Sequence, residues 1–149
     1  MNTISKPRQV DGWEVMSTTI DSGAAETVCP KECAADYETH ETEASTNGMY
    51  YLSASGDPIP NLGEKNVMLM TESGEHRQMR YQVAPVTKPL GSVSKICKAG
   101  HIVVFDDDGS YIYNKNTGSI DWLRQENGTY MLDSYVVPRS TNPFQGHGN

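Results

Sequence analysis

Apolar positions along the chain come in short runs broken by Gly, Pro, Asp, Asn and Ser, which predicts strands joined by turns rather than long helices. The first run starts at Trp13 and continues through Val15-Met16-Ser17-Thr18-Thr19-Ile20, rich in the β-branched residues that strands favour. It ends at Asp21-Ser22-Gly23-Ala24, a tight-turn signal, and Ala25-Glu26-Thr27-Val28-Cys29 resumes as a strand until Pro30 stops it. Residues 31 to 47 are acidic and polar and read as a surface loop or a short helical turn. Met49-Tyr50-Tyr51-Leu52 and the return beginning at Ile59 predict a hairpin around Ser55-Gly56-Asp57-Pro58. Further strands are expected at 66–70 and 79–84, around a turn at Glu72-Ser73-Gly74. The one good helical segment follows Ser92, placed to cap its start, and ends at Gly100. Two more hairpins are predicted, one turning at Asp106-Asp107-Asp108-Gly109 and one at Glu126-Asn127-Gly128.

The length of 149 residues suits one domain with a single core. Hydrophobic residues make up 36% and charged residues 21%, while 13 Gly and 8 Pro agree with a turn-rich chain. No run approaches the roughly 20 apolar residues that span a bilayer, and the opening MNTISKPRQVDG has no apolar segment of the signal-peptide kind. No membrane partner is expected. A net charge of −7 without a basic block argues against nucleic-acid binding, which draws on Lys and Arg against phosphates. Three cysteines, Cys29, Cys33 and Cys97, cannot all pair within the chain; this fits a reducing compartment, so the expectation is an intracellular, cytoplasmic protein.

Asp-Ser-Gly alone is an ordinary turn tripeptide, and its weight comes from what surrounds it. Ile20-Asp21-Ser22-Gly23-Ala24-Ala25-Glu26-Thr27-Val28 resembles the active-site segment of retropepsins: a hydrophobic residue, Asp, Thr or Ser, Gly, Ala, then polar residues and a hydrophobic strand. Tyr51-Leu52-Ser53-Ala54-Ser55-Gly56-Asp57-Pro58-Ile59 sits where that family has its flap hairpin. The stretch from Gln82 to Val93 resembles its closing segment, in which a hydrophobic-Gly turn leads into a short helix. Leu90-Gly91-Ser92-Val93-Ser94-Lys95-Ile96 with the strand after it is also similar to copia-type retrotransposon polyproteins. The likeness covers roughly residues 13 to 105, with the three motifs in family order.

This resemblance implies an all-β, retropepsin-like acid protease fold, a closed barrel-like protomer with one short helix, working as a homodimer. It implies an aspartic endopeptidase that hydrolyses peptide bonds in extended polypeptide, in the processing of a retroelement polyprotein. Asp21 would be the catalytic residue, with Ser22, Gly23 and Ala24 shaping the active-site loop. Leu52, Ser53, Ala54, Ser55, Gly56, Asp57 and Ile59 would form the flap over the substrate. One Asp-Ser-Gly motif per chain supplies half of a two-carboxylate site, so a two-fold dimer must complete it. The expected organisation is a polar leader at 1–12, a protease domain at 13–137 and a flexible tail at 138–149. Within that domain, residues 106–137 read as extra strands beyond the family core.

The alternatives are blander. A protease-fold module without turnover, kept for dimerisation or peptide binding, would carry the same motif order. Cys29 and Cys33 with His40 invite a zinc reading, but a structural site needs a fourth ligand, which only Cys97 or a distant His could supply. Small buried thiols are the preferred reading, and no metal or cofactor is expected. Asp106-Asp107-Asp108-Gly109 lacks the later ligands of a calcium loop and reads as a turn. His76 and His101 read as surface or strand-edge residues, and the Met-rich stretch at 67–70 as core. Ser22 has no nucleophile elbow around it.

Overall fold

The computed structural model describes residues 8–52 and 55–139. The fold is predominantly β, built on a ten-stranded mixed sheet with a separate two-stranded ribbon and two short helices. β1 (Arg8–Val10) and β2 (Trp13–Asp21) form the first hairpin, followed by the short β3 (Val28–Cys29). Then come α1 (Glu43–Thr46), the ribbon β4 (Tyr50–Leu52) and β5 (Pro58–Pro60), and the long pair β6 (Gly63–Met70) and β7 (His76–Val83). β8 (Leu90–Ser92) runs directly into α2 (Val93–Lys98), and β9 (His101–Val104), β10 (Ser110–Asn114), β11 (Ile120–Glu126) and β12 (Thr129–Val136) complete the chain order.

The spatial order is β1-β2-β8-β3-β7-β6-β12-β11-β10-β9, and a further pairing joins β12 to β2. Six strands, β2, β8, β3, β7, β6 and β12, therefore close into a ring. β12 is the closing member: Met131 to Tyr135 pair with Thr19 to Val15, while Tyr135 and Val136 pair with Met70 and Leu69 on its other edge.

Local chemistry explains the turns. Asn127 and Gly128 both adopt positive φ, 51° and 78°, and so do Asp11 and Gly12, at 52° and 83°. Two consecutive left-handed residues match the twist of the strands they join, which is why Asn-Gly and Asp-Gly serve there. In α2 the Ser92 hydroxyl accepts from Lys95 N–H, Gly100 follows at φ 95°, and Lys95 and Lys98 in the last turn complement the helix dipole.

Two buried clusters meet through Met79. One gathers Met16, Cys29, Tyr37, Val67, Leu69 and Tyr81, and the other Ile20, Ile96, Ile112, Leu123 and Leu132. Burying an Ile or Leu side chain contributes about 1.5–3 kcal/mol before entropy is counted.

The stretch at 31–47, read as a surface loop or a short helical turn, holds such a turn, α1, capped by a reciprocal pair between Thr42 and Ser45, so the described residues carry two short helices where one was expected. Part of the expected leader is strand, since Arg8–Val10 pairs with Val15–Trp13; residues 1–7 lie outside the described residues. Within 106–137, the span read as extra strands, β12 closes the ring. Of the expected tail, Arg139 makes an ion pair with Glu38 at 3.9 Å, and residues 140–149 lie outside the described residues.

Candidate active site

β2 and β8 run parallel, with Thr19 opposite Leu90, Ile20 opposite Gly91 and Asp21 opposite Ser92. Thr18, Thr19 and Ile20 are buried, so Asp21 sits at the end of a strand fixed in the interior. Gly91 permits that approach: a Cβ there would lie 3.0 Å from Ile20 Cδ1 and 3.1 Å from Thr18 Cγ2. Past the turn, buried Thr27 reaches back, its Oγ1 accepting from Ser92 N–H at 3.0 Å. The loop after Asp21 is thus tied at both ends to β8, the segment that launches α2.

Asp21 is half-buried, and its Oδ1 accepts from Gly23 N–H at 2.8 Å, the backbone-mimicking turn that aspartate makes with the residue two ahead. Ala24 N–H donates to the Asp21 carbonyl at 3.4 Å. Among the described residues no other side chain hydrogen-bonds or ion-pairs with the carboxylate, which leaves Oδ2 for solvent or substrate. Such a group can accept a proton from water. It cannot be acid and base at once, so hydrolysis of an unactivated amide calls for a second ionisable partner.

Ser22 and Gly23 are exposed and Ala24 is half-buried. A Cβ on Gly23 would meet only Asp21 Oδ1, at 3.4 Å, an ordinary contact. The protomer by itself does not demand glycine there.

The β4–β5 ribbon pairs Tyr50 with Pro60, Tyr51 with Ile59 and Leu52 with Pro58. It carries exposed apolar side chains, Leu52 at 69% and Tyr50 at 58%. A two-stranded ribbon is marginal alone, and this one is pinned at its base by Asn61. That amide donates to Tyr51 Oη and to Gln82 Oε1, each at 3.0 Å, while Asn61 N–H donates to the Met49 carbonyl. Gly56 takes φ 88° and Ser55 Oγ donates to Asp57 Oδ2 at 2.9 Å. Ser53 and Ala54 lie outside the described residues.

A cavity of about 660 Å³ opens beside Glu26 and Thr27, between β7 and α2. Neither Asp21, Ser22, Gly23 and Ala24 nor the ribbon residues line it. Glu26 and Thr27, at the end of the same loop, do border this half-open cavity.

Thr27 and Asn61 went unnoticed in the sequence, since a Thr after a turn and an Asn before a Gly carry no distinctive signal. Cys29 is fully buried, and desolvation pushes its thiol up to about 12; burial likewise pushes Cys33 up to about 11. Among the described residues no three His, Cys, Asp or Glu side chains gather as a metal would require. Comparison with protein-family models, curated proteins and solved structures found no match in any of the three.

Proposed function

We propose that the chain is one protomer of a homodimeric aspartic endopeptidase of the retropepsin type, acting on extended polypeptide. The observation that carries this reading is Asp21 itself. It stands at the end of a buried strand, with one carboxylate oxygen held by Gly23 N–H and the other unengaged among the described residues. The pairing of Asp21 with Ser92 adds support, because it sets the Leu90-Gly91 segment and its short helix, the part that resembles the family's closing segment, beside the Asp21 loop.

The chemistry follows from bringing two such loops together across a two-fold axis. Two close carboxylates cannot both ionise and so share a proton. The ionised Asp21 takes a proton from water as the water oxygen attacks the scissile carbonyl carbon. The protonated Asp21 of the second copy donates to the carbonyl oxygen. Collapse of the tetrahedral adduct returns a proton to the leaving amine. Ser22 and Ala24 border this loop, and Gly23 leaves it low enough for a second loop to approach. The ribbon, with Leu52 and Ile59 flanking a turn through Ser55, Gly56 and Asp57, acts as a lid that excludes water and adds main-chain hydrogen bonds. Its substrate would be a polyprotein in the cell that makes it.

The test is cleavage of an unfolded test protein between pH 4 and 7 by wild type and Asp21→Asn. The asparagine keeps an oxygen for Gly23 N–H, so the loop survives while the proton chemistry is lost. Cleavage that disappears in the variant supports the proposal. A folded, dimeric wild type with no cleavage would instead favour the module without turnover.

A further inference from the structure

Backbone bonding in β7 alternates, and that alternation exposes an edge. Leu62 N–H donates to the Val83 carbonyl at 2.8 Å and Thr71 N–H to the Glu75 carbonyl at 3.0 Å, so odd-numbered residues of β7 bond toward β6. Even-numbered residues face the other way, as Gln82 N–H shows by donating to the Thr27 carbonyl at 2.8 Å. On that side β3 pairs only with Gln82 and Val83. The N–H and carbonyl groups of His76, Gln78 and Arg80 therefore point where β3 no longer reaches. No hydrogen bond takes up those of Gln78 and Arg80 among the described residues.

The open edge borders the cavity of about 660 Å³, a size typical of ligand sites. Ile96 of α2, Ala99 at its C-cap, Ile112 and Leu132 line it as apolar wall, with Met79 beside the edge. Its charges pair off: Glu26 with Lys95 and Glu64 with Arg80, each at 3.7 Å, and Arg77 with Asp121 at 2.6 Å. From His76 to Arg80 a strand covers about 13 Å, at roughly 3.3 Å per residue. Free main-chain donors and acceptors in a row, an apolar wall and ionic side chains that each already have a partner fit one class of occupant.

We propose that this groove docks an extended, uncharged polypeptide segment, which adds to β7 as a strand in line with β3. Alternate side chains of that segment lie against Ile96 and Ile112, and its main chain bonds Gln78 and Arg80. The proposal does not use the Asp21 carboxylate, although Glu26 and Thr27, at the end of the loop that follows it, line the groove. Two other sheet edges are open in the ten-stranded order, β1 and β9; β1 does not reach this cavity and β9 meets it only through His101, whereas β7 lines it continuously from His76 to Arg80.

The experiment titrates the isotopically labelled full chain with a capped peptide of alternating Val and Thr, five residues long, and follows backbone amide signals and hydrogen exchange. The Gln78 and Arg80 amides shift, and their exchange slows at least tenfold at saturation. Methylating alternate peptide nitrogens weakens binding at least tenfold. Ala99→Phe, a change at the exposed C-cap of α2 that fills the groove, abolishes the shifts and leaves the remaining spectrum in place. The proposal is overturned if millimolar peptide moves neither amide, if shifts gather on β1 or β9, or if the methylated peptide binds equally well. Protection of both amides in the free protein also overturns it, since the chain would then fill its own groove.

Discussion

Arg77 dictates which nitrogen of His101 carries the proton. Arg77 Nη1 lies 2.7 Å from His101 Nε2, and a guanidinium only donates, so Nε2 accepts. The proton therefore sits on Nδ1, which donates to the Ile96 carbonyl at 3.2 Å. Arg77 is itself held by Asp121 at 2.6 Å, Glu75 at 3.3 Å and Ser119 Oγ at 3.0 Å. A residue that reads from sequence as an isolated histidine is in fact a neutral acceptor in a network joining β7, β9 and β11.

Protonating His101 sets an N–H against the guanidinium. Burial, then the Arg77 charge, hold its pKa below the ordinary histidine value. A depressed pKa means the unfolded chain binds the proton first, so this contribution to stability is present above about pH 6.5 and is lost as pH falls through the folded value. His101→Gln keeps an acceptor without titrating. Its urea midpoint should fall less than wild type's between pH 7.5 and 5, and an equal fall in both proteins would refute the assignment.

Thr18 and Tyr81 share a buried hydrogen bond of 2.9 Å across the ring interior, and their two hydroxyls have no access to solvent. Tyr81→Phe strands the threonine hydroxyl and should cost about 1–3 kcal/mol. Thr18→Val with Tyr81→Phe removes both groups, and the pair should cost measurably less than the sum of the singles. Denaturation of all four proteins gives the coupling directly; additive losses would show that the bond contributes nothing.

Lys65 is 2% exposed, and its ammonium donates to three carbonyls, those of Lys31 at 2.8 Å, Cys33 at 2.9 Å and Ala34 at 3.2 Å. It fastens the loop after β3 onto β6. Lys65→Met keeps the stem and removes every donor, so a loss of at least about 2 kcal/mol is expected. Protease nicking within 31–37 should rise along with it. A variant as stable and as resistant as wild type would mean that water serves those carbonyls equally well.

Cys29 and Cys33 stay protonated in the fold at pH values where free thiols ionise. Their raised pKa values contribute stability that is complete below about pH 8.5 and declines as pH climbs toward 11 and 12. At pH 8 an alkylating reagent should modify exposed Cys97 first, reaching Cys29 only with denaturant. Mass spectrometry of timed samples reads this order, and early modification of Cys29 would contradict its burial.

How legible all this was in the sequence depends on the range of the interactions. Turns and caps were legible because their chemistry is local: Asn127-Gly128, the Ser92 cap and the ribbon around Gly56 fall where residue type alone puts them. The buried run at Val67-Met68-Leu69 and the small buried thiol of Cys29 also follow from pattern. The partners of β12 did not, because pairing between Met131 and Thr19 depends on the whole path between them. Lys65 was illegible for another reason: its charge marks it as surface, and only three converging carbonyls make its burial tolerable. At the site, the Asp21 turn was readable, whereas the supporting roles of Thr27 and Asn61 arise from residues far away in sequence.

The position of β12 has a consequence for synthesis on the ribosome. A nascent chain that has emerged only as far as β11 carries β2 and β6 without the strand that later lies against both. Until β12 arrives, two strand edges stand open to any neighbouring chain. Slow translation across codons 115 to 129 would prolong that exposure, whereas a chaperone holding the emerging β2 would shorten it. Aggregation during expression, rather than instability of the finished molecule, is where mutations in β12 will first be noticed.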